Sequence, residues 1–175
     1  MSTDKDRTNR FNELAEVYSA DLYRYAMWIC GNDALAKDLV QETFLRAWRA
    51  LDSLNEMTAA KSWLITILRR EYARTFERKV PLFTDIDKVS IADDEELEPD
   101  ELKERDLLRE GILKLEPKYR DPLLLQAIFG HSCAEISEQL GITRSAVMTQ
   151  LFRAREKLKA QLQKSGVKGN VHELF

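Results

Sequence analysis

The sequence predicts an all-α protein of two small helical domains joined by an acidic flexible linker, the second a helix-turn-helix domain. Three observations carry this reading. Apolar residues recur at helical spacing on both sides of residues 82–99, and no sustained valine- and isoleucine-rich alternation marks a strand. Charge is sharply partitioned: residues 61–79 carry six Lys/Arg against two Glu, residues 143–164 carry six against one, and residues 84–106 hold eleven Asp/Glu against three Lys/Arg. Finally, the stretch "AEISEQLGITRSAVMTQL" contains two helical patterns separated by little more than a glycine.

A first helix is expected from about Asn9 to Cys30, ending at Gly31, and a second begins after Asn32 or Asp33, either of which can cap it, and runs to about Ala50. Thr58 is the expected cap of a third, "AAKSWLITILRREYARTFERK", with Pro81 close behind it. From Leu82 to about Pro99 large apolar residues are few and charge is dense, the pattern of a linker. Asp100 opens a helix to about Leu115. Another starts near Pro117, suited to a first turn, and ends by Gly130, with Pro122 expected to bend it or limit its start. The expected boundaries are 8–80 for the first domain, 81–105 for the linker, 106–165 for the second domain and 166–175 for a tail. Each domain is small enough to have only a modest core.

In the helix-turn-helix, Ile136 and Leu140 lie four apart, Gly141 supplies backbone freedom for a tight turn, and Thr143 caps the second helix. Val147, Leu151, Ala154 and Leu158 form one stripe, which must face the core. Geometry then turns Ser145, Thr149 and Arg153 outward, with Met148 on the shoulder and Arg144 in the first turn. A helix lying in a major groove presents such residues to base edges and phosphates. The plainer alternative is a helical hairpin with a solvated basic face.

The second helix of the first domain carries two stripes. Ala36, Val40, Phe44, Ala47 and Leu51 form one; Asp38, Gln41, Leu45 and Trp48 form another, suited to a protein partner. The third helix sets Trp63, Tyr72 and Phe76 beside Arg69, Arg70, Arg74, Arg78 and Lys79. Rings beside cations suit single-stranded nucleic acid, and equally suit an amphipathic helix whose aromatic residues are core.

Composition narrows the function classes. The chain has 175 residues, 44% hydrophobic and 33% charged, as in soluble globular proteins. Its amino terminus is polar, and no apolar run approaches the roughly 18 residues of a spanning helix, so a cytoplasmic location is expected. Cys30 and Cys133 are far apart and read as buried small hydrophobes. His131 and His172, the two histidines, read as ordinary polar residues. With no clustered acid/base set, no metal-ligand spacing and no glycine-rich phosphate loop, neither enzyme, cofactor nor small-molecule substrate is expected.

"DLVQETFLRAWRAL", then "SWLITILRREYARTFERK", an acidic linker and "GITRSAVMTQLFRAREKL" together resemble a bacterial sigma factor of the extracytoplasmic-function class, over about residues 9–164. The resemblance implies that the first domain holds the clamp helices of the RNA polymerase β′ subunit and captures the melted minus-ten promoter element. It implies that the second reads the minus-thirty-five element as duplex and packs against the β flap. Asp38, Gln41 and Glu42 fall in the polymerase-binding motif, extended by Leu45 and Trp48. Residues 51–61, ending at Lys61, fall where the family holds a flipped base; with Trp63, Arg69, Arg70, Arg74 and Arg78 they make up the minus-ten candidates. Thr143, Arg144, Ser145, Met148, Thr149 and Arg153 are the minus-thirty-five candidates. The family often has Arg-Asn, and an Asp four beyond that Asn, where this chain has Arg69-Arg70 and Arg74, and basic residues where it has Met148 and Gln150. An anti-sigma factor and a stress or envelope response are further implications. Two other readings stand beside this one: a dimeric operator-binding repressor, and a helical adaptor that never touches DNA.

Overall fold

The computed structural model describes residues 4–78 and 99–166. It divides into two compact units, Met1–Val89 and Ser90–Phe175. Among the described residues there is no strand.

The first unit holds α1 (Asp4–Cys30), α2 (Asp33–Arg49) and α3 (Ala60–Arg78), with short 3-10 turns at Leu51–Ser53 and Met57–Ala59. Asn32 is the cap of α2: its side chain accepts from the Leu35 amide at 2.9 Å, satisfying one of the donors a helix start leaves open. Helix α1 begins five residues earlier than the expected Asn9. Thr58 does not cap α3; its hydroxyl bonds the Glu56 carboxylate at 3.3 Å, and the preceding 3-10 turn feeds directly into the helix. The core gathers Leu14, Leu22, Tyr25, Met27 and Ile29 from α1, Ala36, Leu39 and Ala47 from α2, and Leu64, Ile65 and Leu68 from α3.

The stripe expected on α2 is rotated. Ala36, Leu39, Thr43 and Ala47 are the buried set, with Leu51 just beyond the helix, whereas Val40 and Phe44 are half-buried. Helix α2 is packed by α1 on one flank and α3 on the other, so its buried line runs between the two stripes read from sequence. Thr43 is tolerated there because its hydroxyl donates back to the Leu39 carbonyl at 2.7 Å.

The second unit holds α4 (Pro99–Leu113), α5 (Pro117–Phe129), α6 (Cys133–Leu140) and α7 (Arg144–Lys164). Helix α4 opens at Pro99, so residues 99–105 of the segment assigned to the linker are helical; residues 81–98 of it lie outside the described residues, as does the tail from 167. Pro122 does not limit the start of α5, which opens with Pro117 at its first position and runs through Pro122 to Phe129. Val147, Leu151, Ala154 and Leu158 are all buried, as the spacing requires, and Leu162 extends the stripe by one turn. They pack with Leu123, Leu124, Leu125, Ile112 and Ile136 in one core. Cys30 and Cys133 are half-buried rather than buried, and the Cys30 thiol donates to the Asn32 carbonyl at 3.4 Å. His131 is buried against Phe129, the ring centroids 5.8 Å apart.

Candidate nucleic-acid interface and partner ridge

The helix-turn-helix is built from its caps. Ser132 and Glu135 form a reciprocal capping box at the start of α6: the Ser132 amide donates to the Glu135 carboxylate at 2.8 Å, and the Glu135 amide to the Ser132 hydroxyl at 3.2 Å. Gly141 closes α6 at φ +66°, a conformation that carries little penalty only without a Cβ. The Ser137 hydroxyl then donates across the turn to the Ile142 carbonyl at 2.6 Å, and the Thr143 hydroxyl accepts from the Ala146 amide at 3.1 Å to start α7. These side chains and one glycine fix the angle at which α7 leaves the turn.

With its stripe buried, α7 turns Arg144, Ser145, Met148, Thr149, Phe152 and Arg153 to solvent. Arg153 lies beside Tyr119 of α5, and its guanidinium holds that phenol below its usual value. Lys118 and Lys157 lie over the same ring, 4.9 and 5.3 Å from its centroid. Tyr119 therefore gathers three cations beside the outward face, a cluster that spacing along α7 cannot reveal because Tyr119 lies on another helix. Arg155 is also held by α5, donating to the Gln126 side chain farther along that helix. Phe152 is a further residue of this face that the sequence reading does not include, although it lies four residues past Met148 and away from the stripe.

In the first unit, α1 and α3 cover the flanks of α2 and leave one ridge exposed: Asp38, Gln41, Glu42 and Leu45. Leu45 is 44% exposed among these polar neighbours. Trp48 is not part of this open ridge. Its ring meets Phe11 edge-on at 5.2 Å, the Arg7 guanidinium lies 4.8 Å over it, and Arg7 also donates to the Trp48 carbonyl at 2.8 Å. Beside the ridge, between α2 and α3, a groove is lined by Asp38, Glu42, Arg46, Glu71 and Arg74 among others. Glu71 holds Arg74 at 2.7 Å and Arg46 at 3.3 Å, joining the two helices across it.

The aromatic and basic residues of α3 do not form one surface. Tyr72 donates its hydroxyl to the Ile29 carbonyl at 2.6 Å, and Arg69 donates to the Tyr25 hydroxyl at 3.1 Å, so both tie α3 to α1. Trp63 and Lys61 are half-buried, Arg70 is exposed, and Arg74 is engaged by Glu71. The side chains of Phe76 and Arg78, and Lys79, lie outside the described residues. Arg10 donates to the Leu54 carbonyl at 2.7 Å and so anchors the segment between α2 and α3. Among the described residues no three His, Cys, Asp or Glu side chains are grouped to hold a metal ion. No helix there is long and apolar enough to cross a membrane.

The helix-turn-helix of the second unit, beside a three-helix first unit with a solvent-facing polar ridge, defines a class: a DNA-binding transcription protein. Residues 14–80 match Sigma-70 region 2 and residues 105–158 match Sigma-70 region 4. The ECF RNA polymerase sigma factor SigL of Mycobacterium tuberculosis is 32% identical over 162 residues, covering 88% of this chain and 89% of that one. The RNA polymerase sigma factor YlaC of Bacillus subtilis is 31% identical over 159 residues, covering 87% and 92%. Among solved structures, CnrH in complex with the cytosolic domain of CnrY matches with a TM-score of 0.66 at 25% identity, covering 88% of each chain. The sigma factor RpoE of Bartonella quintana, in complex with the anti-sigma factor NepR, shares the fold with a TM-score of 0.69 at 24% identity, covering 87% of this chain and 95% of that one. The chain belongs to the sigma-70 family of RNA polymerase sigma factors, in its ECF group.

Proposed function

We propose that this sigma factor directs core RNA polymerase to its promoters with two separate surfaces, the α2 ridge for polymerase and the outward face of α7 for duplex DNA. The observation that carries this is the orientation of α7. Burial of its whole apolar stripe leaves Arg144, Ser145, Met148, Thr149, Phe152 and Arg153 as the outward set, with Arg144 and Ser145 in the capped, positively polarised first turn. These residues, with Thr143 at the cap, read the minus-thirty-five element.

Asp38, Gln41, Glu42 and Leu45 receive the β′ clamp helices, the carboxylates and amide supplying directional bonds around one apolar contact. Trp48 acts beneath this surface by fixing α2 against α1. The minus-ten element is captured by residues 51–61 and the near part of α3, where Lys61, Trp63 and Arg70 contribute; Arg69 ties α3 to α1, and Arg74 is paired with Glu71 on its own helix. Region 2 function thus occupies residues 8–80 and region 4 function residues 106–165. The second unit also packs against the β flap, and residues 81–98 connect the two. The protein works in the cytoplasm with no catalysis of its own and no cofactor, and an anti-sigma factor restrains it, as the family resemblance implies.

Reconstituted transcription with purified core enzyme tests this. Promoter-specific initiation is the expected result. Arg153→Ala should weaken use of the upstream element by about 1–3 kcal/mol, the range of one lost base or phosphate contact. Unchanged use of promoters both intact and mutated at that element overturns the assignment of α7.

A further inference from the structure

We propose that Met148 and Phe152 form an apolar reading surface that recognises thymine 5-methyl groups in the upstream promoter element; this rests on the assignment of α7 to DNA made above. Met148 is 62% exposed and Phe152 65% exposed, the two most exposed large apolar side chains among the described residues. They lie four positions apart on one helix and therefore side by side on its surface. The buried stripe of α7 is complete without them, so the fold does not need either as core. Ser145 and Thr149 lie alongside, exposed, and Arg144 and Arg153 flank the pair.

Two features decide what covers this pair. The helix around it is strongly basic, with six Lys/Arg against one Glu over residues 143–164, which favours a polyanion. The apolar area is two side chains wide, far below the roughly 800 Å² per partner that a stable protein interface takes. A small apolar patch inside a cationic, hydroxyl-bearing face matches a major groove, where the thymine methyl is the apolar group that base edges present. Arginine at such a position would read guanine through its O6 and N7 acceptors. A methionine and a phenylalanine have no donor to offer there, and shift the preference to thymine. Met148 is flexible enough to follow a methyl, whereas Phe152 offers a rigid ring.

The test uses the full chain assembled with core polymerase and a duplex that this holoenzyme selects from randomised DNA. Each thymine of the upstream element is replaced singly by deoxyuridine, which removes the methyl and leaves every hydrogen-bonding group in place. Affinity should fall about fourfold at one or two positions, the worth of one buried methyl. In Met148→Ala and Phe152→Ala the thymine duplex should bind as weakly as the uracil duplex does to the parent, with the thymine–uracil difference gone. Circular dichroism and thermal melting of both variants confirm that each is folded. Element-specific binding with no thymine–uracil difference at any position, or a difference that persists in both variants, overturns the methyl reading alone. Equal affinity for the selected element and a scrambled duplex overturns it together with the assignment of α7 to DNA.

Discussion

The Arg7 guanidinium lies 4.8 Å above the Trp48 ring while one of its nitrogens donates to the Trp48 backbone carbonyl at 2.8 Å, so a single residue of α1 holds both the side chain and the main chain at the end of α2. The ring is edge-on to Phe11 as well, and the carbonyl is among the last of α2, where a helix leaves acceptors open. Arg7 serves two roles at once: a cation over a π face, and a donor to a helix C-terminus. Arg7→Ala should therefore lower the stability of the first unit by about 1–2 kcal/mol, measured by urea denaturation. Asp38→Ala with Gln41→Ala should leave stability within about 1 kcal/mol while weakening binding to core polymerase. If the double variant unfolds and Arg7→Ala does not, the division between supporting and partner-facing residues on α2 is reversed.

The Tyr72 hydroxyl is a tether between helices. Tyr72→Phe keeps the ring and removes only the bond to the Ile29 carbonyl, leaving that acceptor to find another donor. A loss of about 1 kcal/mol in thermal unfolding is expected, with promoter selectivity unchanged. A change in minus-ten preference with no loss of stability would mean that the hydroxyl faces nucleic acid instead.

Helix α4 approaches α7 closely at Gly111. A Cβ there would lie 2.8 Å from Leu158 Cδ1 and 3.2 Å from Gln161 Oε1, and Leu158 is fully buried, with little room to move. Alanine would gain about 1 kcal/mol of helix propensity, but overpacking costs roughly 1–3 kcal/mol. Gly111→Ala should consequently lower the melting temperature. In a Leu158→Ala background the same change should raise it, because the clash is gone and the propensity remains.

Acid stability has an identifiable contributor at the start of α2. Asp33 is held below its ordinary value of 3.8, first by its bond to Lys37 and then by the hydroxyl of Tyr23, 2.5 Å away. The folded-state value is the lower one, so the stabilisation is present above pH 3.8 and is lost as pH falls through the folded value. Asp33→Asn should be less stable than the parent near neutrality, and the gap should close as the solution is acidified past that window. Denaturation midpoints across pH 2–6 give the comparison. A constant gap would assign the effect to the helix start rather than to ionisation.

Much of the second unit is legible in the sequence because its signals are local. The stripe Val147, Leu151, Ala154 and Leu158 follows from helical period alone, and Gly141 and Thr143 mark the turn by their own backbone and hydroxyl chemistry. The capping box at Ser132 and Glu135 is equally present in "SCAE", a signal as local as the Thr143 cap but one that the sequence reading does not use. Each of the seven described helices is expected from the sequence, while the start of α1 moves by several residues, because polar residues give no periodic signal there.

The sequence by itself determined the helical class, the break between two units and the outward face of α7, since one buried stripe on a helix leaves only one direction for the rest. What only the tertiary structure decided was the fate of residues with two options. Trp48, Tyr72 and Arg69 each pair with α1, more than forty positions away in the chain, and spacing within a single helix cannot register such partners. Helix α2 shows why: packed on two flanks by α1 and α3, it buries a line between the stripes its own sequence displays, and Asp38, Gln41, Glu42 and Leu45 become a surface because neither neighbour reaches them.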